Sequence, residues 1–358
     1  MTRFITIASG KDGAGKTSLS VNLGLEFSRM GHRTCLFDAG SGLVNSNSLL
    51  GLFPSAALRD VILGDRPIRE IMIRFSDRFH ILPGSSGIEE MAHLSEDQSR
   101  QLIRSFLELN PYDIFLLDTS TGITKEVVSF CMAAPEVLIL VTPEPASLND
   151  SYALIEILIK NGYQHKIKII INRCKSISQA SQVFKELKSA AEKHLHTALS
   201  PLGFILDDKM VSLAIEQQKP LLASYPKSIA RKCILKIAQR LEIDSKDPLI
   251  ETDPDRFWEK CMTFFKSSLT LTADKTIKIK SEPPKIRIEE ALPMWMEKLN
   301  DTIATVAEEL KGVRHSLEKM ESRQGVPGNN DRKEKIPEPI LLDFETFAEN
   351  RKSKRKDN

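Results

Sequence analysis

The sequence predicts an α/β protein, a doubly wound and mostly parallel sheet around a phosphate-binding loop. A C-terminal amphipathic helix, a coiled-coil helix and a disordered tail are expected to follow it. Three observations carry this prediction. Residues 10–18 read Gly-Lys-Asp-Gly-Ala-Gly-Lys-Thr-Ser, set between an apolar run and a helical pattern. Short Ile/Leu/Val-rich runs alternate with amphipathic helical segments from the start of the chain to about residue 245. Apolar residues then recur in alternating steps of four and three from Leu292 to Met320.

The apolar runs are Phe4–Ala8, Thr34–Phe37, Phe79–Pro83, Ile114–Leu117, Val137–Thr142 and Ile167–Ile171. Their near-continuous branched content suits strands buried on both faces, which is the habit of parallel sheets covered by helices. Helical periodicity falls at residues 17–30, 97–109, 124–131, 147–161, 178–196 and 226–241. Such alternation places a ligand at the carboxyl ends of the strands. The nucleotide-binding domain is therefore assigned to residues 1–250.

Composition changes beyond that domain. Over residues 255–271, Phe257, Trp258, Cys261, Met262, Phe264, Phe265 and Leu269 share one helical face, opposite Arg256, Glu259, Lys260 and Lys266. Aromatics facing lysines suit a membrane surface. The alternative is a last helix docked on the domain or on a protein partner. Residues 272–290 read as a polar linker containing Pro283 and Pro284. Across 291–323, Met296, Ile303, Leu310 and Leu317 fall at heptad position a, with Leu292, Leu299, Val306, Val313 and Met320 at d. This pattern argues for a homodimeric coiled coil. Residues 325–358, rich in Pro, Gly, Asn and charge, are expected to be disordered.

Bulk properties narrow the function. The chain has 358 residues, with Lys+Arg 50 against Asp+Glu 48 and a formal charge of +2, so no nucleic-acid partner is expected. The five cysteines have no paired spacing for a metal site or a disulfide framework. No secretory pattern opens the sequence, and nowhere do about eighteen apolar residues run together. The expected location is the cytoplasm, with peripheral attachment at the inner face of the cell membrane as the alternative.

The chemistry gathers at the loop. A strand, a glycine-rich turn and a helix N-terminus let backbone N–H groups converge on phosphate oxygens, and the helix dipole favours the negative charge. Gly13, Gly15, Lys16, Thr17 and Ser18 would bind the phosphates, Lys16 pairing with the β/γ-phosphates and the Thr17 hydroxyl sitting on Mg²⁺. Asp38 and Asp118 each end an apolar run with a carboxylate, and Asp118 would orient Mg²⁺ water ligands. The region of Gly122, four residues after Asp118, would sense the γ-phosphate. Asn172 ends a later run with an amide able to pair with the adenine edge. The implied cofactors are ATP or ADP with Mg²⁺.

On these residues the chain resembles the MinD/ParA group of deviant Walker A ATPases, and within it the FlhG/FleN branch that regulates flagellar number and placement. Lys11 with Gly15-Lys16-Thr17 matches the group's loop. Asp38-Ala39 with Gly42-Leu43-Val44-Asn45, the Thr142-Pro143-Glu144-Pro145 segment, Leu202-Gly203-Phe204-Ile205 and Tyr225-Pro226-Lys227-Ser228 resemble the branch's landmarks. The resemblance covers about residues 1–265. It implies that ATP drives two subunits face to face, that Lys11 reaches across to the partner's phosphates, and that a first-switch aspartate positions the attacking water. It also implies that Asp38 and Asp118 form the Mg²⁺ surroundings and that Phe257–Leu269 stands where a membrane helix would lie.

The departures from that pattern change the expected function. Asp12 stands where the group has glycine, and Gly40 stands where its water-positioning aspartate belongs. Asn47 replaces a further acid and Ser120 a switch glycine. Two like unit charges ~4 Å apart repel by several kcal/mol at an effective dielectric near 20. Weak ATP affinity or failed ATP-driven pairing is therefore expected of Asp12. Removing an acid–base group commonly costs about 10²–10⁴ in rate. The reading is a nucleotide-binding regulator or scaffold with impaired or absent hydrolysis. A working ATPase cycling between cytosol and membrane, or a partition-type ATPase, stands as the alternative.

The heptad repeat yields a first test. The purified chain should sediment as a dimer without ATP, and removing residues 288–324 should leave a monomer. A monomeric intact chain would contradict the assignment.

Overall fold

A run such as Phe4-Ile5-Thr6-Ile7-Ala8 has apolar side chains on both faces, so it is stable only where helices cover the sheet above and below. In the computed structural model β1 (Arg3–Ala8) takes that place, paired in parallel with β5 (Ile114–Thr119) on one side and β6 (Glu136–Val141) on the other. The structure describes residues 2–40, 49–84, 87–109, 112–244 and 253–273. The chain divides into two units, Met1–Pro284 and Lys285–Asn358, and the described residues all belong to the first. The coiled-coil and tail assignments, and nearly all of the linker, lie outside them.

Among the described residues the sheet has eight strands in the order β3-β4-β2-β5-β1-β6-β7-β8, where β2 is Thr34–Ala39, β3 Ile73–Arg74, β4 Phe79–Pro83, β7 Ile167–Cys174 and β8 Leu199–Leu206. All pairings are parallel except β3 with β4. The predicted fold class is therefore the observed one. The helices among the described residues are α1 (Lys16–Arg29), α2 (Leu58–Ile62), α3 (Ile68–Ile71), α4 (Glu96–Leu107), α5 (Lys125–Ala133), α6 (Pro145–Lys160), α7 (Ile177–Leu195), α8 (Lys209–Glu216), α9 (Leu221–Ser224), α10 (Ile229–Asp244) and α11 (Pro254–Lys266).

Local chemistry sets several helix starts. Ser95 accepts a bond from the Gln98 N–H at 3.2 Å while Gln98 Oε1 accepts from the Ser95 N–H at 2.9 Å, a reciprocal cap for α4. Ser176 and Asp208 cap α7 and α8 in the same sense, accepting from Gln179 and Met210. One face of the sheet is buried by α1 and α10, the other by α5, α6 and α11. Helix α1 approaches β4 so closely that a Cβ on Gly24 would lie 2.3 Å from the Phe79 ring. At the amino ends of the central strands, Glu136 receives Arg3 and Lys168, the latter at 2.8 Å, and Arg3 also donates to the Leu241 carbonyl at 2.7 Å. Burial raises the Glu136 carboxyl, and these two cations outweigh it and hold it below the usual carboxylate range.

The structure amends the boundary placed at residue 250. Helix α11 is part of the first unit's core rather than a separate segment. Phe257, Trp258, Cys261, Met262 and Phe265 are all buried, Trp258 to 2% exposure. Phe257 stacks on Phe4 with centroids 3.8 Å apart, and Trp258 stacks on Phe106 at 3.7 Å. Phe37 and Phe115 meet the indole edge-on at 6.1 and 5.5 Å. Beyond the helix, Asn161 pairs its side-chain amide with the Thr270 backbone, donating at 2.9 Å and accepting at 3.0 Å. The face proposed for a membrane or protein partner is therefore taken up by the domain itself. The amphipathic pattern identified the apolar face but not what covers it, because lipid and a sheet demand the same residues. Among the described residues no helix is long and apolar enough to cross a membrane.

Truncating Trp258 removes the indole between Phe106, Phe37 and Phe115. Trp258→Ala should lower the unfolding free energy by about 3–5 kcal/mol in urea titrations. A loss below about 1 kcal/mol would show that α11 is not integral to the fold.

Candidate functional site

The turn between β1 and α1 is shaped by glycine where only glycine is comfortable. Gly13 and Gly15 have φ of 70° and 98°, in the left-handed region. A Cβ on Gly15 would lie 2.4 Å from the Asn172 amide nitrogen. One on Gly10 would lie 2.3 Å from the Asp150 carbonyl carbon, on the backbone of α6. Lys16 begins α1 and folds back inward, its ammonium donating to Ser9 Oγ at 3.0 Å. It is 6% exposed, and burial pushes its pKa down against the pull of Asp118 and then Asp12. A desolvated cation at a helix N-terminus behind a glycine-rich turn is suited to phosphate.

The two acids expected on the metal side are brought together by sheet register. Asp38 on β2 sits directly opposite Asp118 on β5, and both are essentially inaccessible to water. Asp118 is pushed up to about 7, first by burial and then by the Asp38 charge, with Lys16, Thr17 and Ser20 working in the opposite direction. Ser20 Oγ donates to Asp118 Oδ1 at 3.1 Å, and the Thr17 hydroxyl bonds the same carboxyl. Two carboxylates forced together in a dry site with a hydroxyl beside them fit a hard divalent cation. Among the described residues no group of three or more His, Cys, Asp or Glu side chains gathers. A cation here would thus complete its shell with water and ligand oxygens, as Mg²⁺ does.

The outer face of the loop is tied to its own chain. Lys11 pairs with Glu144, the residue that leads into α6. Asp12 accepts a hydrogen bond from the Thr121 hydroxyl. The Gly122 N–H donates to the Ser9 carbonyl at 3.2 Å, so the segment after β5 touches the loop twice. Asn172 donates to the Ala14 carbonyl at 2.7 Å, and its Oδ1 accepts from the Arg173 N–H at 2.9 Å.

The predicted residues therefore divide. Gly13, Gly15, Lys16, Thr17, Asp38 and Asp118 converge at one edge of the sheet. Ser18 lies in the first turn of α1, its carbonyl accepting from Asn22 at 2.6 Å. Lys11 is turned to Glu144, and Asn172 braces the loop. Gly40 follows β2, where a Cβ would make ordinary contacts of 3.7 Å with Asp38 Oδ1 and the Thr119 carbonyl. Asn47 lies outside the described residues. The motifs did not disclose the parts of Ser9, Ser20, Thr121 and Glu144. Only Ser20 carried a signal, one helical turn beyond Lys16.

Residues 5–222 match the family described as the CobQ/CobB/MinD/ParA nucleotide binding domain. The antiactivator FleN of Pseudomonas aeruginosa is 36% identical over 241 residues, spanning 67% of this chain and 86% of that protein. The flagellum site-determining protein YlxH of Helicobacter pylori is 27% identical over 239 residues, spanning 66% and 81%. Among solved structures, the septum site-determining protein MinD of Pyrococcus horikoshii, complexed with Mg-ADP, superposes with a TM-score of 0.55 at 22% identity, covering 69% of this chain and 98% of that one. That likeness speaks to the fold. The chain belongs to the CobQ/CobB/MinD/ParA nucleotide-binding family, as its loop, strand-end acids and later landmarks led one to expect.

The Asp118 carboxyl sets a pH signature. Its folded value of about 7 lies above the ordinary 3.8, so ionising it opposes folding. The penalty is absent below about pH 4, grows as pH rises, and is complete above about pH 7. In metal-free buffer Asp118→Asn should match the parent near pH 4 and exceed its stability by on the order of 4 kcal/mol near pH 8. A difference independent of pH, in denaturant melts, would contradict the assignment.

Proposed function

We propose that, within this family, the chain is a nucleotide-binding regulator or scaffold of the flagellar number-and-placement type, with impaired or absent ATP hydrolysis. The loop amides, Lys16 and Thr17 would hold the phosphates of ATP or ADP, while Thr17, Asp38 and Asp118 would hold Mg²⁺ and Asn172 would face the adenine side. Bound Mg²⁺ would neutralise phosphate charge. The flagellar process is suggested by the likeness to YlxH, a flagellum site-determining protein, together with the branch landmarks in the sequence.

The single observation that carries impaired hydrolysis is Gly40. The position beside Asp38 has room for a side chain and holds none. Glycine itself offers no side chain with which to orient or deprotonate a water molecule. Asp12 adds a second obstacle, a carboxylate on the loop's outer face. Its exposure and its bond from Thr121 weaken the repulsion that full burial would give. Repulsion and bulk on that face still oppose a second subunit. Self-association would then fall to the coiled coil at Leu292–Met320. With the apolar face of α11 buried, a membrane or protein partner at Phe257–Leu269 would require α11 to leave its seat. The protein would act at the cytoplasmic side, with its partner unnamed by these residues.

ATP turnover by the intact chain beside an Asp12→Gly, Gly40→Asp double variant tests the reading. The native chain should stay near background, and the double variant should gain about 10² or more. Unchanged turnover in both, or brisk turnover by the native chain, would refute it.

A further inference from the structure

The Asp12–Thr121 contact joins the two walls that would enclose the third phosphate of a nucleotide. Asp12 belongs to the phosphate loop, four residues before Lys16. Thr121 belongs to the segment after Asp118, where phosphate-loop proteins sense a γ-phosphate. The hydroxyl of Thr121 donates to the Asp12 carboxylate, and the next residue donates its backbone N–H to Ser9. That segment is thus already drawn onto the loop by an anion that the chain itself provides. The same carboxylate lies near enough to Lys16 to favour its charged form. Lys11, the other cation on the loop and the natural counterweight to Asp12, is paired with Glu144.

We infer that the Asp12 carboxylate, held by Thr121, stands in for a γ-phosphate, so that the cradle selects nucleoside diphosphates over triphosphates. This inference rests on the nucleotide-binding reading above and adds to it which nucleotide is retained. A diphosphate leaves the Asp12–Thr121 bridge intact and meets the loop amides and Lys16. A triphosphate brings its terminal charge against Asp12 and must break the bridge to reach the Thr121–Gly122 segment. Asp12 is thereby a specificity-determining residue, and Thr121 is the positioning residue that keeps its carboxylate in place.

Calorimetric titration of the full-length chain with Mg-ADP and with Mg-AMPPNP, a triphosphate that is not turned over, tests this. The native chain should bind ADP more tightly, by about tenfold or more. Asp12→Gly should move the ADP/AMPPNP ratio about tenfold towards the triphosphate and leave ADP affinity within about threefold. Asp12→Asn, which keeps the acceptor and loses the charge, should recover most of that change. Thr121→Val should shift the ratio in the same direction, because the freed carboxylate can turn to solvent. A native chain that prefers AMPPNP, or an Asp12→Gly ratio equal to the native one, overturns the inference while leaving nucleotide binding in place. A ratio that Asp12→Gly moves and Thr121→Val does not overturns the role of the bridge. Failure of either nucleotide to bind any of these proteins would instead overturn the nucleotide-binding reading, and the inference with it.

Discussion

The parallel pairing of β1 with β5 and β6 in the middle of the sheet is the constraint on which the site depends. It sets the carboxyl ends of β1, β2, β5 and β7 on one edge, so the phosphate loop, Asp38, Asp118 and Asn172 arrive together without any contact in sequence. The register that places Asp38 opposite Asp118 also creates the electrostatic problem that a cation would solve. Gly10 adds a steric condition, since the loop passes within contact distance of the α6 backbone. Any side chain there would lift the loop from its seat.

That geometry produces a site with mixed capabilities. Its inner half is suited to hold phosphate and Mg²⁺, with a desolvated Lys16 and two buried acids. Its outer half is satisfied within the chain, Lys11 by Glu144 and Asp12 by Thr121. Cross-subunit chemistry of the kind the MinD/ParA resemblance implies would have to undo both contacts. An acid at position 40 would fit, and glycine occupies it. Under the function proposed above, these three features would act in the same direction, towards binding without turnover.

Much of this was legible in the sequence, for physical reasons. Strands buried on both faces must be continuously apolar, so β1, β2, β4, β5, β6 and β7 stood out. β8 did not, because Pro201 and Gly203 interrupt its pattern and only β7 flanks it. β3 has two residues, too few for any period. The short helices α2, α3, α8 and α9 lack the length over which a periodic face declares itself. The loop residues and strand-end acids were readable because phosphate chemistry fixes their types and spacing. The Thr121 and Glu144 contacts were not, since they join residues more than one hundred positions apart. The seat of α11 was hidden for a different reason: its aromatic face reads the same whether lipid or Phe4 and Phe106 cover it.

Under the proposed function, this cradle holds ATP without a group to cleave it. Labelled ATP and Mg²⁺ mixed with a large excess of the intact chain, quenched over minutes to hours and separated by chromatography, address that claim directly. The account predicts that protein-bound label remains ATP throughout. Conversion of the bound label to ADP within the first minutes would contradict it.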